Sequence, residues 1–547
     1  MVPGFASAQA PPDAGSLLKQ IEQQRHDSLP PKSAPQFVPP PPLQSLGGTT
    51  VTVKAFQFAG NSLLTTEKLA PSVATFIDRP LDFAELQNAA IAVASVYRKA
   101  GWVVRVYLPQ QDITGGTVTL QILEGKFGSV RVEGDAKRIT AARLTRAVET
   151  LQPPGTPVNA DALDRALLLI DDLPGVSATG RLTEGQNQAE TDLVLAVADS
   201  PLLTLGTTAD NGGARFTGAE RVIANASVHS PFSLGDRADA LYLHSEGSDY
   251  VRAAYSLPVG SRGWRVGVNA SHFAYDIVTS EFAALDAQGT STTAGVEANY
   301  PLLRSRLRNL YLAINAEDRR LDNESAGETT TNYAVQTASI GLYGNVFDSL
   351  GGGGANIASI TLVTGRLDLA GSPNEAADAL TTDTAGSFTK LTFSAARQQA
   401  LSDRFSLYAS LSGQLTSKNL DSSEKFYLGG SSGVRAYPAN EGGGAEGLLL
   451  NVEARARLPA KFAMTGFFDW GSVRVNKDNN FVGASTSNRD SLKGAGVSLG
   501  WTANFGLNLR ATVAHRIGSN PSPASTGDDQ DGSLIKNRVW LQASLSF

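Results

Sequence analysis

Between residues 202 and 547 apolar and polar side chains alternate one by one, in segments about ten residues long. In residues 448–458, Leu448, Leu450, Val452, Ala454, Ala456 and Leu458 fall on one face, while Asn451, Glu453, Arg455 and Arg457 fall on the other. The same split sets Phe405, Leu407, Ala409 and Leu411 against Ser406, Tyr408, Ser410 and Ser412. A period of two belongs to a β-strand whose two faces meet different surroundings. Ten residues is about what a tilted strand needs to cross a bilayer, and nearly twice the ~5–6 usual in soluble sheets. No run of about 18 apolar residues occurs, so a membrane-spanning helix is excluded, whereas a membrane barrel of alternating strands is not.

Sixteen such segments can be counted, an even number as a bacterial outer-membrane barrel requires. Short turns near 259–262, 459–461 and 504–506 are interleaved with long polar stretches at 320–332, 368–385, 416–445 and 476–492, which are expected to be loops on the opposite end. The segment 539–547 keeps its alternation to a terminal Phe547. Sixteen strands enclose an aqueous lumen rather than a packed core.

Ahead of this region one unit occurs twice. The strand and turn at 56–61, FQFAGN, return 74 residues later as VRVEGD at 130–135. Gly101-Trp-Val after a helix at 83–99 returns as Gly175-Val-Ser after a helix at 160–172, and a closing strand at 117–123 returns at 191–197. A constant offset at several landmarks marks a β-α-α-β-β repeat, at 49–126 and 127–199. Ile91, Val93, Val96 and Tyr97 are expected to face Val104, Val106, Leu120 and Ile122 in the first copy. In the second, the alternating stretch 176–184 presents Val176, Thr179, Arg181 and Thr183 as a candidate edge for a strand-adding ligand.

Residues 11–28 contain a short helix with Asp13 or Ser16 as cap and only Leu17, Leu18 and Ile21 on its apolar side, too little to stabilise it alone in water. Seven prolines at 29–43 make a semi-rigid tether within a linker at 29–48. Residues 1–10, with the small residues Ala6, Ser7 and Ala8, read as the remnant of a secretory signal.

The chain has 46 Lys and Arg against 52 Asp and Glu, a net charge of −6, which speaks against nucleic acid. With no Cys, disulfides, thiolate metal sites and thiol nucleophiles are excluded. Gly429, Ser431 and Gly433 satisfy G-x-S-x-G, but a nucleophile elbow needs a following helix and here strands lie on both sides. His26, His229, His244, His272 and His515 are scattered without ligand spacing. No catalytic residue, metal or cofactor is expected.

Three motifs carry a resemblance. Asp210-Asn-Gly-Gly213 with Thr217-Gly218 follows the first barrel segment, Val434-Arg-Ala-Tyr437 lies in the long stretch between segments 11 and 12, and Phe467-Phe-Asp-Trp-Gly471 lies on segment 13. Together with the repeats they make the chain similar to the TpsB transporters of two-partner secretion, in the Omp85 superfamily. The resemblance implies two periplasmic POTRA domains, a plug helix, and a monomeric sixteen-stranded pore in the outer-membrane lipid of a Gram-negative cell. It implies export of a secreted TpsA-type partner bound in extended form; an Omp85-type assembly factor is the alternative. It also implies a lock between loop and lumen made by Val434, Arg435, Tyr437, Phe467, Asp469 and Gly471. Ala436 replaces the family's Gly, so the backbone there has to admit a Cβ.

Overall fold

The computed structural model describes residues 12–24, 50–134, 136–187, 189–439, 441–524 and 527–547. The expected signal remnant at 1–10 and the proline linker at 29–48 lie outside the described residues.

The alternating region closes into one barrel of sixteen antiparallel strands. In chain order these are β1 (Leu203–Asp210), β2 (Arg221–His229), β3 (Arg237–Ser245), β4 (Ser248–Val259), β5 (Trp264–Asp276), β6 (Gln288–Arg304), β7 (Arg308–Ser325) and β8 (Glu328–Asp348). They continue with β9 (Gly354–Asp368), β10 (Gly386–Ala400), β11 (Phe405–Thr416), β12 (Glu446–Arg457), β13 (Phe462–Arg474), β14 (Arg489–Thr502), β15 (Asn508–Arg516) and β16 (Asn537–Ser546). Val268, Val296, Ile340, Leu362 and Val497 stand exposed on the outer wall, as a lipid-facing surface demands.

One expectation is corrected. The polar stretch 320–332 is strand, not loop: β7 and β8 run on to a tight turn at Ala326 and Gly327, both at positive φ. Outward-facing polar pairs, Asp322 with Asn332 and Asp318 with Gln336, hold this extension. Because polar residues occupy both faces there, the alternation that marks the other strands vanishes. Likewise β14 begins at Arg489, inside the expected loop 476–492, and a short helix, Glu375–Leu380, lies within 368–385.

The seam that closes the barrel is short. Gly206–Asp210 of β1 pair with Gln542–Ser546 of β16, and Leu205 and Phe547 exchange two further backbone hydrogen bonds. Beyond Asp210, Asn211 continues the contact with its side chain: Oδ1 accepts from the Leu541 amide at 2.7 Å and Nδ2 donates to the Val539 carbonyl at 3.0 Å.

Each repeat is a three-stranded sheet under two helices. In the first, Thr117–Glu124 lies between a parallel Ala55–Ala59 and an antiparallel Val104–Tyr107; in the second, Glu190–Asp199 lies between Lys126–Glu133 and Val176–Glu184. Val93, Tyr97, Leu120 and Ile122 form the core of the first, with Val96, Val104 and Val106 at its margin. Ile91 lies outside that cluster, because Ala89, Ala90, Val93 and Tyr97 define the inward stripe of the helix Phe83–Lys99. The 74-residue offset has a backbone cause. Gly60 and Gly134 both take positive φ, as do Gly101 and Gly175, and a Cβ on Gly134 would sit 2.1 Å from the Val197 carbonyl oxygen.

The second repeat is bolted to the barrel. Arg304 grips Asp172 with two 2.8 Å hydrogen bonds, Arg306 pairs with Asp164 at 2.7 Å, and Arg143 and Arg165 donate to the carbonyls of Pro258 and Pro301. Gly134→Ala forces both a left-handed φ and a clash with backbone, and lowers the stability of this repeat by roughly 1–3 kcal/mol. Faster amide exchange across residues 126–199 in the intact protein, with the barrel unchanged, is the expected readout; exchange equal to wild type would contradict it.

Candidate functional site

The stretch between β11 and β12 folds back into the lumen and lies against β12, β13 and β14. What draws it there is a buried carboxylate. Asp469 points inward from β13, fully buried, and its two oxygens receive four donors. Arg435 Nε and the Arg435 amide reach Oδ2 at 2.9 and 3.1 Å, while Arg435 Nη2 and Asn451 Nδ2 reach Oδ1 at 2.7 and 2.8 Å. The fork of a guanidinium matches a carboxylate in this way; a Lys would not.

The remaining Arg435 nitrogen is also paired. Nη1 donates to Glu453 at 2.8 Å, and Glu453 is held from its other side by Arg455 at 2.7 Å. The guanidinium lies 3.5 Å from the centroid of the Phe467 ring, so its flat face is covered as well. The Arg435 carbonyl accepts from Trp540 Nε1 of β16 at 2.8 Å. The loop tip therefore touches β12, β13 and the strand at the seam together.

Apolar packing surrounds this core. Val434, Ala436 and Tyr437 are fully buried with Leu428, Leu449, Phe467, Val473 and Leu492. Gly471 is small for a reason: a Cβ there would stand 2.6 Å from Leu428. Ala436 does not take a positive φ. The space for its methyl group comes from Gly494 on β14, where an added Cβ would lie 2.6 Å from the Ala436 Cβ. The structure thus brings together all six residues of the expected lock. Asn451, Glu453 and Trp540 belong to the same cluster and were not singled out; Asn451 stands directly opposite Asp469 in the ladder, a relation visible only once the register is known.

The N-terminal helix, Ala14–Gln23, sits inside the lumen with Asp13 as its cap. Leu17 and Leu18 are buried against Leu243, Tyr250, Phe273 and Tyr333, and Ile21 packs at the margin of that cluster. Polar contacts anchor both ends. The Ala14 amide donates to Asn323 at 2.8 Å and Ser422 Oγ to Asp13 at 2.6 Å, while Arg319 on β7 holds Glu22 at 2.9 Å. A cavity of about 1470 Å³ lies beyond the C-terminal end of the helix, lined by Lys19, Glu22 and Gln24 on one side and by Leu169, Asp172 and Leu173 of the second repeat on the other.

The strand Val176–Glu184 is an edge: Glu190–Asp199 covers one side and no strand among the described residues covers the other. Thr179 and Arg181 are exposed and Thr183 is half-buried. Val176 is corrected, because its side chain is buried in the core of the repeat and is not presented to a ligand. The Gly185 amide bonds to Glu190, so by alternation the amides of Gly180, Leu182 and Glu184 face outward.

The protein-family model described as "Haemolysin secretion/activation protein ShlB/FhaC/HecB" matches residues 189–503, and that of the ShlB-type POTRA domain matches residues 51–125. The chain is similar to the heme/hemopexin transporter protein HuxB of Haemophilus influenzae, 25% identical over 98% of this chain and 95% of that one. It is similar to the outer membrane transporter CdiB of Dickeya dadantii, 22% identical over 72% and 70%. Among solved structures, CdiB from Escherichia coli shares the fold with a TM-score of 0.71, at 19% identity and 94% coverage of both chains.

Removing either partner of the central pair leaves a buried charge unmatched, at a cost of ~3–5 kcal/mol. Arg435→Ala and Asp469→Ala are each expected to expose residues 416–445 to protease while the barrel stays folded, and the double variant to be no worse than either single one. Additive losses in protection would show that the two side chains act separately.

Proposed function

The chain belongs to the ShlB/FhaC/HecB family of haemolysin secretion/activation proteins, outer-membrane transporters of two-partner secretion with periplasmic POTRA domains, and from that premise we propose how it moves its partner. The second POTRA domain takes the partner in extended form on the free edge of Val176–Glu184. The barrel conducts it outward, and the helix Ala14–Gln23 closes the lumen at rest. The partner is a TpsA-type secreted protein, and the pore acts as a monomer in the membrane lipid.

One observation supports this reading above the others: the cavity under the plug is walled by POTRA residues at its mouth, so the recognition domain and the lumen share one space. Strand addition suits an unfolded ligand, because main-chain hydrogen bonds are offered by any sequence. The helix seats its apolar side on the lumen wall, but Gln20 Nε2 and Gln24 Oε1 are buried without a hydrogen-bond partner. Each such unpaired group offsets part of the gain from that packing. Arg435 and Asp469 keep the inward loop against one wall, which leaves the opposite wall for passage. The family match over residues 189–503 favours translocation over an Omp85-type assembly factor.

Removing residues 11–30 is expected to raise single-channel conductance in planar bilayers, and equal conductance with and without them would refute the plug. Leu182→Pro removes one outward-facing amide and leaves the ladder to Glu190–Asp199 intact. It is expected to lower secretion of the co-produced partner several-fold at matched transporter levels; undiminished secretion would rule out strand addition at this edge.

A further inference from the structure

Across the wall made by β7 to β11, the registers align one lumen-facing rung: Tyr311 opposite Tyr343, then Ser359, Ser394 and Ser412. No member carries a charge. Tyr311 and Tyr343 stack with centroids 5.0 Å apart, and the hydroxyls of Ser359 and Ser394 meet at 2.7 Å. The rung on the POTRA side runs from Asn309 through Asn345 and Ala396 to Ser410, and the rung above from Ala313 through Thr361 and Thr392 to Gln414; neither carries a charge. At ~4.8 Å per strand and ~6.8 Å per rung this belt is about 19 Å wide and about 14 Å tall.

Its surroundings are different. The other boundaries of the same cavity hold Lys19 and Glu22 on the plug, Asp172 on the POTRA domain, and Arg237, Arg265 and Arg304 on the remaining wall. The wall beyond β11 is covered by the inward loop, whose Arg435 is bonded to Asp469 of β13. A neutral wall that faces the cavity and starts beside the POTRA domain, covered by the loop only at Gln414, is thus set apart from everything around it.

We infer that this belt is the track along which the exported protein slides, and that it fits an extended polypeptide rich in Ser, Thr, Asn and Gly. The inference rests on the exporter reading. Hydroxyl and amide groups offer exchangeable hydrogen bonds to any passing backbone, and each is weak enough to break. A charge on the track would capture oppositely charged segments, because Coulomb attraction is stronger in a narrow lumen than in bulk water. Neutrality keeps successive positions of the chain close in energy, so that passage needs no local motor.

The test uses the chain lacking residues 11–30 in planar bilayers, with two synthetic 24-residue probes added on the POTRA side. One is a Gly-Ser-Asn repeat and the other is the same repeat with four Lys. On the otherwise unaltered belt both probes are expected to block the current with similar residence times. Ser394→Glu is expected to lengthen the residence of the Lys probe by at least ~5-fold, since an opposite charge then lies on its path. Asn299→Glu, in the same cavity but on β6, is expected to leave it unchanged. Equal lengthening by both variants, lengthening by neither, or a conducting channel that neither probe blocks would overturn the belt. Failure of the full chain to secrete its co-produced partner, with the probes still held at Ser394→Glu, would overturn the exporter reading instead.

Discussion

Inside hydrocarbon no water is present to pair an exposed amide, so a sheet that crosses a membrane has to end where it began. Closure of β1 on β16 is therefore the condition for everything else in this molecule. It sets the strand number to one that leaves an open lumen, and an open lumen in an outer membrane is a leak. The two inserts, the loop between β11 and β12 and the helix Ala14–Gln23, are answers to that problem. They fill different parts by different means: the loop by a buried charge cluster inside apolar packing, the helix by Ala14, Leu17, Leu18 and Ile21 with a few polar anchors.

The contrast in binding strength follows from burial. Asp469 is fully buried with four donors, and Arg435 is paired on three nitrogens and covered by Phe467. Such a cluster is costly to break because neither charge can recover its water. Glu22, about a third exposed, meets a buried Arg319 that also faces Glu317 and Glu424 on the wall, so the arginine keeps other partners without the helix.

Alternation alone locates the sixteen strands, since the membrane imposes one face and the lumen the other. It fails at 320–332, where the outer face is polar and the inner face, with Leu321 and Asn323, packs on the N-terminal helix. The repeats were legible because Gly60 and Gly134 answer the same steric demand at the same place. The Arg435–Asp469 contact was visible through motifs, whereas Asn451 and Gly494 were not, because a partner across a ladder or a missing methyl group leaves no trace in the order of residues. Val176 was misplaced for a related reason: an edge strand still has a buried face, and alternation does not say which face that is. The docking of Asp164 and Asp172 onto Arg306 and Arg304 joins surfaces more than a hundred residues apart and has no local signature.

The use of Asn211 to extend the seam has a consequence for how such barrels diverge. Along most of the wall the strength of strand pairing rests on backbone and changes when register or length changes, which would rebuild the wall. At the end of the seam a side-chain amide adds two bonds to the one its own backbone makes. A single codon change can therefore tighten or slacken the join between first and last strand while the rest of the barrel keeps its geometry, which makes seam strength a trait that selection can tune separately from pore size.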